Sequence, residues 1–272
     1  MTIKSELLLI SILLIANGAK AKELIINFSP GNAEPYVFLE TQGDNVILSS
    51  GILKDLADGL GKEMGVTVVY QKLPRKRRAS GLEEGRIHGV CIWNPLWASN
   101  PENYDWSIPL FEESDWFVLK KENSFPVKSF DDLKSKRLGT ILGYYYVGLT
   151  DHFKQNIIIR DDVNTLSQNF KKLDNNRIDV LIDSNILIEY YMLQKNSRDQ
   201  YSIGEKIASK HDIYCGFSKK SPFPISQINA AFTRMKERGD IENILMKFRR
   251  SWVSGQRTKI SKKTFQEHSQ AQ

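Results

Sequence analysis

The fold is decided by the stretch from Gly51 to Phe111, which reads GILKDLADGLGKEMGVTVVYQKLPRKRRASGLEEGRIHGVCIWNPLWASNPENYDWSIPLF. Apolar residues recur at helical spacing from Gly51 to Met64 and predict an amphipathic helix. The β-branched run from Val66 to Tyr70 predicts a strand. A short helix over Arg77–Glu84 and a strand over Ile87–Trp93 follow. Alternating strands and helices are typical of βαβ units and a parallel sheet.

The same alternation continues on both sides of this stretch. A strand is expected at Leu24–Phe28, and helices are expected to start at Ser129 and Gly143. Two strand-like runs near the end, Tyr201–Ile207 and Asp212–Phe217, precede two closing helices. Further predicted elements are strands at 116–120, 137–142, 156–160 and 178–182, helices around 166–173 and up to Met192, and closing helices at about 225–238 and 240–252.

These elements predict an α/β protein of two lobes. We expect lobe 1 to comprise residues 22–111 plus 211–256, and lobe 2 to comprise residues 112–210. The closing helices have no sheet of their own and are expected to return to lobe 1. Two crossings between the lobes would form a cleft, which is a preferred place for a ligand. Residues 257–272 form a polar tail.

The N-terminus predicts export. Lys4 precedes an apolar run from Leu7 to Ala16 that is too short to span a bilayer comfortably. Ala19 and Ala21 then supply the small residues that a signal peptidase recognises. We therefore expect a signal peptide of residues 1–21, cleaved after Ala21, and a periplasmic mature protein. The alternative is an uncleaved membrane anchor.

Charge and cysteine content narrow the possible partners. The chain has a net charge of +6, and export argues against nucleic acid as its partner. Cys91 and Cys215 each lie in an apolar run, which favours buried free cysteines, although an oxidising compartment would allow a disulfide. The two cysteines are not accompanied by clustered histidines, so neither a metal site nor a cofactor is expected.

Four motifs, in order, resemble those of the bacterial periplasmic solute-binding proteins of family 3, which include many amino-acid receptors. They are GILKDLADGLGKEMG, WSIPLF, SFDDLKSKRLGTILG and LDNNRIDVLIDS. Each motif is weak alone, but their order and spacing are specific. The resemblance implies a two-lobed periplasmic-binding-protein-like fold with two hinge crossings. It also implies closure around a small solute, with no catalytic residue.

The resemblance places two candidate ligand contacts at loop and strand ends. Asp183 follows the strand IDVLI, where family members often hold a ligand amino group; the alternative is a helix N-cap. Tyr36 lies in the loop after the first strand, where relatives often stack an aromatic ring on the ligand. The alternative for Tyr36 is ordinary loop packing.

The strand GVCIW leads into a departure from the family pattern. Trp93, Asn94 and Trp97 stand where amino-acid receptors carry hydroxyl residues and a Thr-x-x-Arg whose guanidinium clamps the ligand carboxylate. The chain has no arginine between Arg86 and Arg137. This departure favours an apolar or planar solute, or a cationic one held by cation–π contact. The alternative is that the tryptophans pack the lobe.

Three further residues are candidates by the same resemblance. Tyr144 and Tyr145 stand where relatives place Ser or Thr at a helix N-terminus that receives the ligand carboxylate. Arg78 ends a basic run and is a possible replacement for the missing clamp. The alternative for this run is a solvated turn.

The resulting hypothesis is a monomeric periplasmic binding protein. It would deliver an amino-acid-like, amine-bearing or aromatic solute to an ABC-type transporter permease. A first alternative is a subunit that presents its ligand to a membrane sensor. A second is a dehydratase-like enzyme on the same fold, for which Glu112, Glu113 and His152 are the available acid or base groups. None of these three lies in a catalytic motif.

Overall fold

The computed structural model describes residues 22–249. The predicted signal peptide and polar tail lie outside this range, as does the end of the last predicted helix. Within it, no helix is long and apolar enough to cross a bilayer. The strands are β1 (Glu23–Phe28), β2 (Phe38–Gln42), β3 (Asn45–Ser50), β4 (Thr67–Lys72), β5 (Gly89–Trp93), β6 (Tyr104–Trp106), β7 (Phe111–Lys120), β8 (Arg137–Ile141), β9 (Ile159–Val163), β10 (Val180–Ser184) and β11 (Tyr201–Ser218). The helices are α1 (Ile52–Met64), α2 (Arg78–Glu84), α3 (Thr150–Lys154), α4 (Leu166–Asp174), α5 (Asn185–Gln194), α6 (Ile225–Glu237) and α7 (240–249).

The first group of strands has the order β4-β1-β5-β11, with β6 beside β11. Strand β1 pairs in parallel with β4 and β5, as the βαβ pattern predicts. Helix α1 buries Leu53, Leu56 and Leu60 and ends at Gly65, whose φ of 67° is left-handed. Helix α6 packs against α1, and Arg238 of the following turn pairs with Glu63. Helix α6 therefore lies beside the first group of strands.

The second group has the order β7-β10-β8-β9. Strand β8 is parallel to β9 and β10, whereas β7 is antiparallel to β10. Helix α4 buries Phe170 and Leu173 against it. A capping box formed by Thr165 and Gln168 satisfies the first amide groups of α4.

Strands β7 and β11 join the two groups. They pair antiparallel from Tyr201 opposite Lys120 to Ile213 opposite Phe111. The C-terminal part of β11 then pairs with β5 in the first group. The predicted α/β fold with two lobes and two crossings is thus confirmed. The predicted lobe boundaries at 111/112 and 210/211 fall within these two strands and stay predictions.

Several elements differ from expectation. The two predicted strands near the end are one strand of 18 residues, because the polar run between them pairs across to β7. The hairpin of β2 and β3 was not predicted. The expected helix at Ser129 is only a 3₁₀ turn over Phe130–Leu133, and the one at Gly143 begins later, at Thr150. Gly148, with a φ of 80°, interrupts the latter segment.

The expectation of free cysteines was wrong. Cys91 on β5 and Cys215 on β11 form a disulfide across 124 residues of sequence. The two residues are opposite each other in the antiparallel register, and their Cα atoms are 4.0 Å apart. Sequence could not show this pairing because it depends on β11 returning beside β5.

Candidate functional site

The loop after β1 is held by the start of α1. The amide groups of Ile52 and Leu53 donate to the carbonyl oxygens of Pro35 and Tyr36, at 3.0 Å each. A helix leaves its first amide groups unpaired, so they are available for this contact. Gly51 allows the close approach, because a Cβ there would lie 2.5 Å from the Tyr36 carbonyl oxygen. The helix that helps identify the fold therefore also positions Tyr36.

Tyr36 reaches from the first group of strands to the second. Its hydroxyl lies 3.2 Å from the Ser184 hydroxyl, and both side chains are buried. The two hydroxyls also hydrogen-bond to the Glu113 carboxylate. Burial and the adjacent Glu113 raise the pKa of Tyr36 well above its usual value, so the phenol stays protonated and available as a donor.

Asp183 lies at the carboxyl end of β10 and is only 4% exposed. Its Oδ1 accepts a 2.8 Å hydrogen bond from the Ser184 amide, whereas its Oδ2 is buried without a partner among residues 22–249. Burial raises the pKa of Asp183 to about 8, and the nearby Asp115 and Glu113 add to the effect. Helix α5 has Ser184 at its N-cap, so Asp183 does not take the alternative capping role.

Two further carboxyl groups lie on the crossing strand β7. Glu113 is buried, and burial raises the pKa of its carboxyl. Asp115 accepts a hydrogen bond from the Ser209 hydroxyl, and its Oδ2 lies 3.2 Å from Nε2 of His211. The hydrogen bond from His211 to Asp115 raises the pKa of the imidazole.

Arg78 lies in the first turn of α2 and is 8% exposed. Its Nε is buried without a hydrogen-bond partner within the described range, and its guanidinium carbon is 5.8 Å from the Trp93 ring centroid. Burial, with a smaller contribution from Arg75, lowers the pKa of Arg78 to about 10. The group is therefore a buried cation at neutral pH with an unused donor.

The residues after β5 have different environments. Trp93 packs against Tyr104 and Trp106, with ring centroids 5.2 and 4.8 Å away, in agreement with the alternative of lobe packing. The Asn94 amide donates to the Asp212 carbonyl oxygen and accepts from the Leu96 amide, at 2.7 Å each. Both ends of Asn94 are thus engaged in protein contacts.

Trp97 is 43% exposed, and its ring meets His211 edge-on with centroids 5.4 Å apart. It therefore borders the group formed by His211, Asp115 and Glu113. Of the three residues predicted after β5, Trp97 is the one with a free aromatic face beside the acidic side chains.

Tyr144 faces the first group of strands, while Tyr145 faces solvent and is 70% exposed. The Tyr144 hydroxyl accepts a 3.3 Å hydrogen bond from Arg75, whose guanidinium lies 5.3 Å from the ring centroid. Helix α3 begins only at Thr150, so Tyr144 and Tyr145 do not lie at a helix N-terminus. The prediction that a helix N-terminus at these tyrosines binds the ligand carboxylate was therefore wrong. Residues 144–146 have no regular secondary structure, and residues 147–149 form a turn.

The predicted residues form two neighbouring sets. One joins Tyr36 and Asp183 to side chains that were not predicted as ligand contacts, namely Glu113, Asp115, Ser184, Ser209 and His211. The other contains Arg78, Trp93 and Tyr144, and Tyr144 lies near both Arg78 and Tyr36. Asn94 and Tyr145 join neither set through their side chains. No group of three potential metal ligands occurs in the part of the chain that the structure describes.

Comparison with known proteins gives one family. Residues 25–251 match the profile of the bacterial extracellular solute-binding proteins, family 3. The L-cystine-binding protein TcyJ of Escherichia coli K12 is 24% identical over 237 residues, covering 86% of this chain and 85% of that protein. The L-cystine-binding protein TcyA of Bacillus subtilis 168 is 22% identical over 230 residues, covering 84% and 82%.

Solved structures show the same fold. An ancestral arginine-binding protein bound to arginine is 23% identical with a TM-score of 0.62, covering 83% of this chain and 97% of that one. The GluR0 ligand-binding core of Nostoc punctiforme in complex with L-glutamate is 18% identical with a TM-score of 0.60, covering 84% and 98%.

Proposed function

We propose, from the premise that this chain belongs to the bacterial extracellular solute-binding proteins of family 3, that it closes around a small amine-bearing solute and delivers it to an ABC-type transporter. The two relatives named as L-cystine-binding proteins support an amino acid as the solute. A periplasmic, monomeric protein that makes no covalent change to its solute is part of the same proposal.

The single observation that carries the proposal is the unpartnered Oδ2 of Asp183. An ionised carboxylate is costly to bury without a partner for each oxygen, and burial raises the pKa of Asp183 to about 8, which keeps the group protonated near neutral pH. An ammonium group of the solute would supply the missing hydrogen-bond donor and the opposite charge. Binding would then offset the cost of burying an ionised Asp183.

Arg78 is the proposed partner for an anionic group of the same solute. It is buried and keeps an unused Nε donor, and a guanidinium suits a carboxylate because both are planar. Arg78 would therefore replace the clamp that the sequence after β5 lacks. Trp97 and Tyr144 are proposed to flank the solute. The ring of Trp93 is proposed to hold the Arg78 guanidinium in place by cation–π contact.

Closure is proposed to be a hinge motion of the two groups of strands about β7 and β11. Contacts that join the groups away from these strands would form as the protein closes. They include the hydroxyls of Tyr36 and Ser184, and Arg75 with Tyr144. Of the groups named for the dehydratase-like alternative, Glu113 lies at this site, whereas Glu112 is exposed and pairs with Lys210.

A thermal-shift screen of the purified mature chain tests this proposal. The panel contains the common amino acids, L-cystine, diamines and aromatic acids. We expect at least one amino acid to raise the Tm, because a ligand that binds only the folded state stabilises it. Asp183→Asn should weaken that solute at least tenfold, because it removes the charge facing the ammonium group.

The matched control is Asp151→Asn, which changes an exposed aspartate on α3 and should leave affinity unchanged. A screen in which no amino acid raises the Tm would contradict the proposed function. Equal affinity in wild type and Asp183→Asn would remove Asp183 from the site.

A further inference from the structure

We propose that the solute carries two cationic nitrogens, and that the second one binds at Glu113 and Asp115 on the crossing strand β7. This inference rests on the proposed function and deepens it, because it names the class of solute. Asp183 takes the first nitrogen in the proposed function. Glu113 and Asp115 would make a separate contact with the second.

The two carboxyl groups belong to one polar surface. Glu113 and Asp115 are two residues apart on a strand, so their side chains point to the same face. His211 lies opposite Glu113, and Ser209 lies opposite Asp115 on β11. Ser184 of β10 is opposite Asp115 on the other side. Side chains of directly opposed residues share a face, so all five line the same surface.

The charges of this surface and of the neighbouring Asp183, which is opposite Trp116, do not balance. Glu113, Asp115 and Asp183 can carry three negative charges. Over residues 22–249, His211 is the one basic side chain in an ion pair with any of them, and that pair is with Asp115. With His211 protonated and all three carboxyl groups ionised, two negative charges are without an opposite charge; the proton that Asp183 holds near neutral pH reduces this number to one until a cation binds. Buried charges are stable only when paired, so a solute with two positive charges would complete the site.

Two observations outside the carboxyl pair point to a ligand. The Asp183 Oδ2 is buried and unpartnered, and Glu113 and Asp115 are the charged groups that act on its carboxyl. Trp97 is partly exposed beside His211. An aromatic face next to carboxylates is a favourable environment for an ammonium or guanidinium group.

The solute class that fits is an amino acid with a second basic nitrogen. Its α-ammonium would face Asp183, its carboxylate would face Arg78, and its second ammonium or guanidinium would face Glu113 and Asp115. L-Lysine and L-arginine have this pattern of charges. L-Cystine also supplies a second ammonium group, together with a second carboxylate. A neutral side chain would leave Glu113 without an opposite charge, since His211 pairs with Asp115 and the α-ammonium would face Asp183.

Calorimetric titration with paired solutes tests the inference. Each pair differs by one charge: L-lysine with N6-acetyl-L-lysine, and L-cystine with its mono-N-acetyl derivative. We expect wild-type protein to bind at least one diamino solute at least tenfold more tightly than its acetylated partner. Glu113→Gln and Asp115→Asn should each reduce that preference to less than threefold.

The matched control is Glu112→Gln, which changes the exposed neighbour of Glu113 that pairs with Lys210. This variant should keep the full preference for the diamino solute. Asp115→Asn provides a second variant of the subsite should Glu113→Gln fail to fold, as judged by circular dichroism.

The inference is overturned if L-glutamine or L-methionine binds wild type as tightly as every diamino solute, or if no diamino solute binds. It is also overturned if Glu113→Gln and Asp115→Asn keep the wild-type preference. If monoamino acids bind as tightly as diamino solutes and Asp183→Asn abolishes their binding, the proposed function is supported. In that case only the contact of a second cationic nitrogen with Glu113 and Asp115 is contradicted.

Discussion

Asp183 is buried, has an oxygen without a partner in the described residues, and has a raised pKa. The raised pKa makes the free energy of unfolding depend on pH. The carboxyl titrates near its ordinary value, about 4, in the unfolded chain. In the folded protein its pKa is about 8. Between about pH 4 and pH 8 the folded state therefore holds a proton that the unfolded state releases. The contribution of Asp183 to the free energy of unfolding is fully present below about pH 4 and is lost by about pH 8.

This difference predicts a pH dependence for the solute-free protein. The free energy of unfolding of wild type should fall between pH 5 and pH 8. Asp183→Asn should flatten this fall, because an amide does not titrate. Urea unfolding at several pH values measures both slopes. Parallel slopes in the two proteins would show that Asp183 is not buried in the solute-free state.

Single positions differed in how far sequence could predict them. Asp183 and Tyr36 were candidates by the family resemblance, which places one after the strand IDVLI and the other in the loop after the first strand. Asp115 and His211 were not, because they meet only when β7 pairs with β11. The available signal was the polar run EESD in Glu112–Asp115, at the start of a strand that is otherwise apolar.

The junction of Gly51 and α1 links the most informative sequence stretch to the candidate site. Gly51 has φ 121° and ψ 167°, a conformation that is essentially restricted to glycine. Its hydrogen atom faces the Tyr36 carbonyl, where a methyl group would not fit. The position of Tyr36 therefore depends on a glycine outside the binding loop.

Gly51→Ala should destabilise the protein by about 3 kcal/mol and weaken solute binding by displacing Tyr36. Gly43→Ala is the matched control, because Gly43 also has a positive φ, 59°, but no atom lies within 4 Å of an added Cβ. Gly43→Ala should lower the free energy of unfolding by about 1 kcal/mol and leave the affinity for the solute unchanged. Denaturant unfolding and calorimetry measure the two effects. Equal loss of affinity in both variants would contradict the role of Gly51.

Elements were predictable where a local pattern determined them. Helix α1 and strands β1, β5 and β10 follow from apolar spacing and β-branched runs. The disulfide and the continuity of β11 were not predictable, because both depend on strands brought together over long sequence separations. Residues 144–149 form no helix, although one was predicted there, because Gly148 interrupts the segment and the buried Tyr146 hydroxyl accepts a hydrogen bond from the Ile141 amide.

The whole molecule is two groups of strands joined by one long antiparallel pair. This arrangement places Glu113, Asp115, Ser209 and His211 on the strands that would act as the hinge, with Asp183 beside them. A solute bound there would contact both groups and the connection between them. Binding and closure would therefore be coupled, since the same carboxyl groups that attract the solute lie where the two groups meet.

A crystal structure of the mature protein with the amino acid that gives the largest thermal shift tests this account most directly. We expect a closed protein with a cationic nitrogen of the solute about 3 Å from the Asp183 Oδ2. A solute bound elsewhere, or an Asp183 Oδ2 that remains without a partner in the complex, would contradict it.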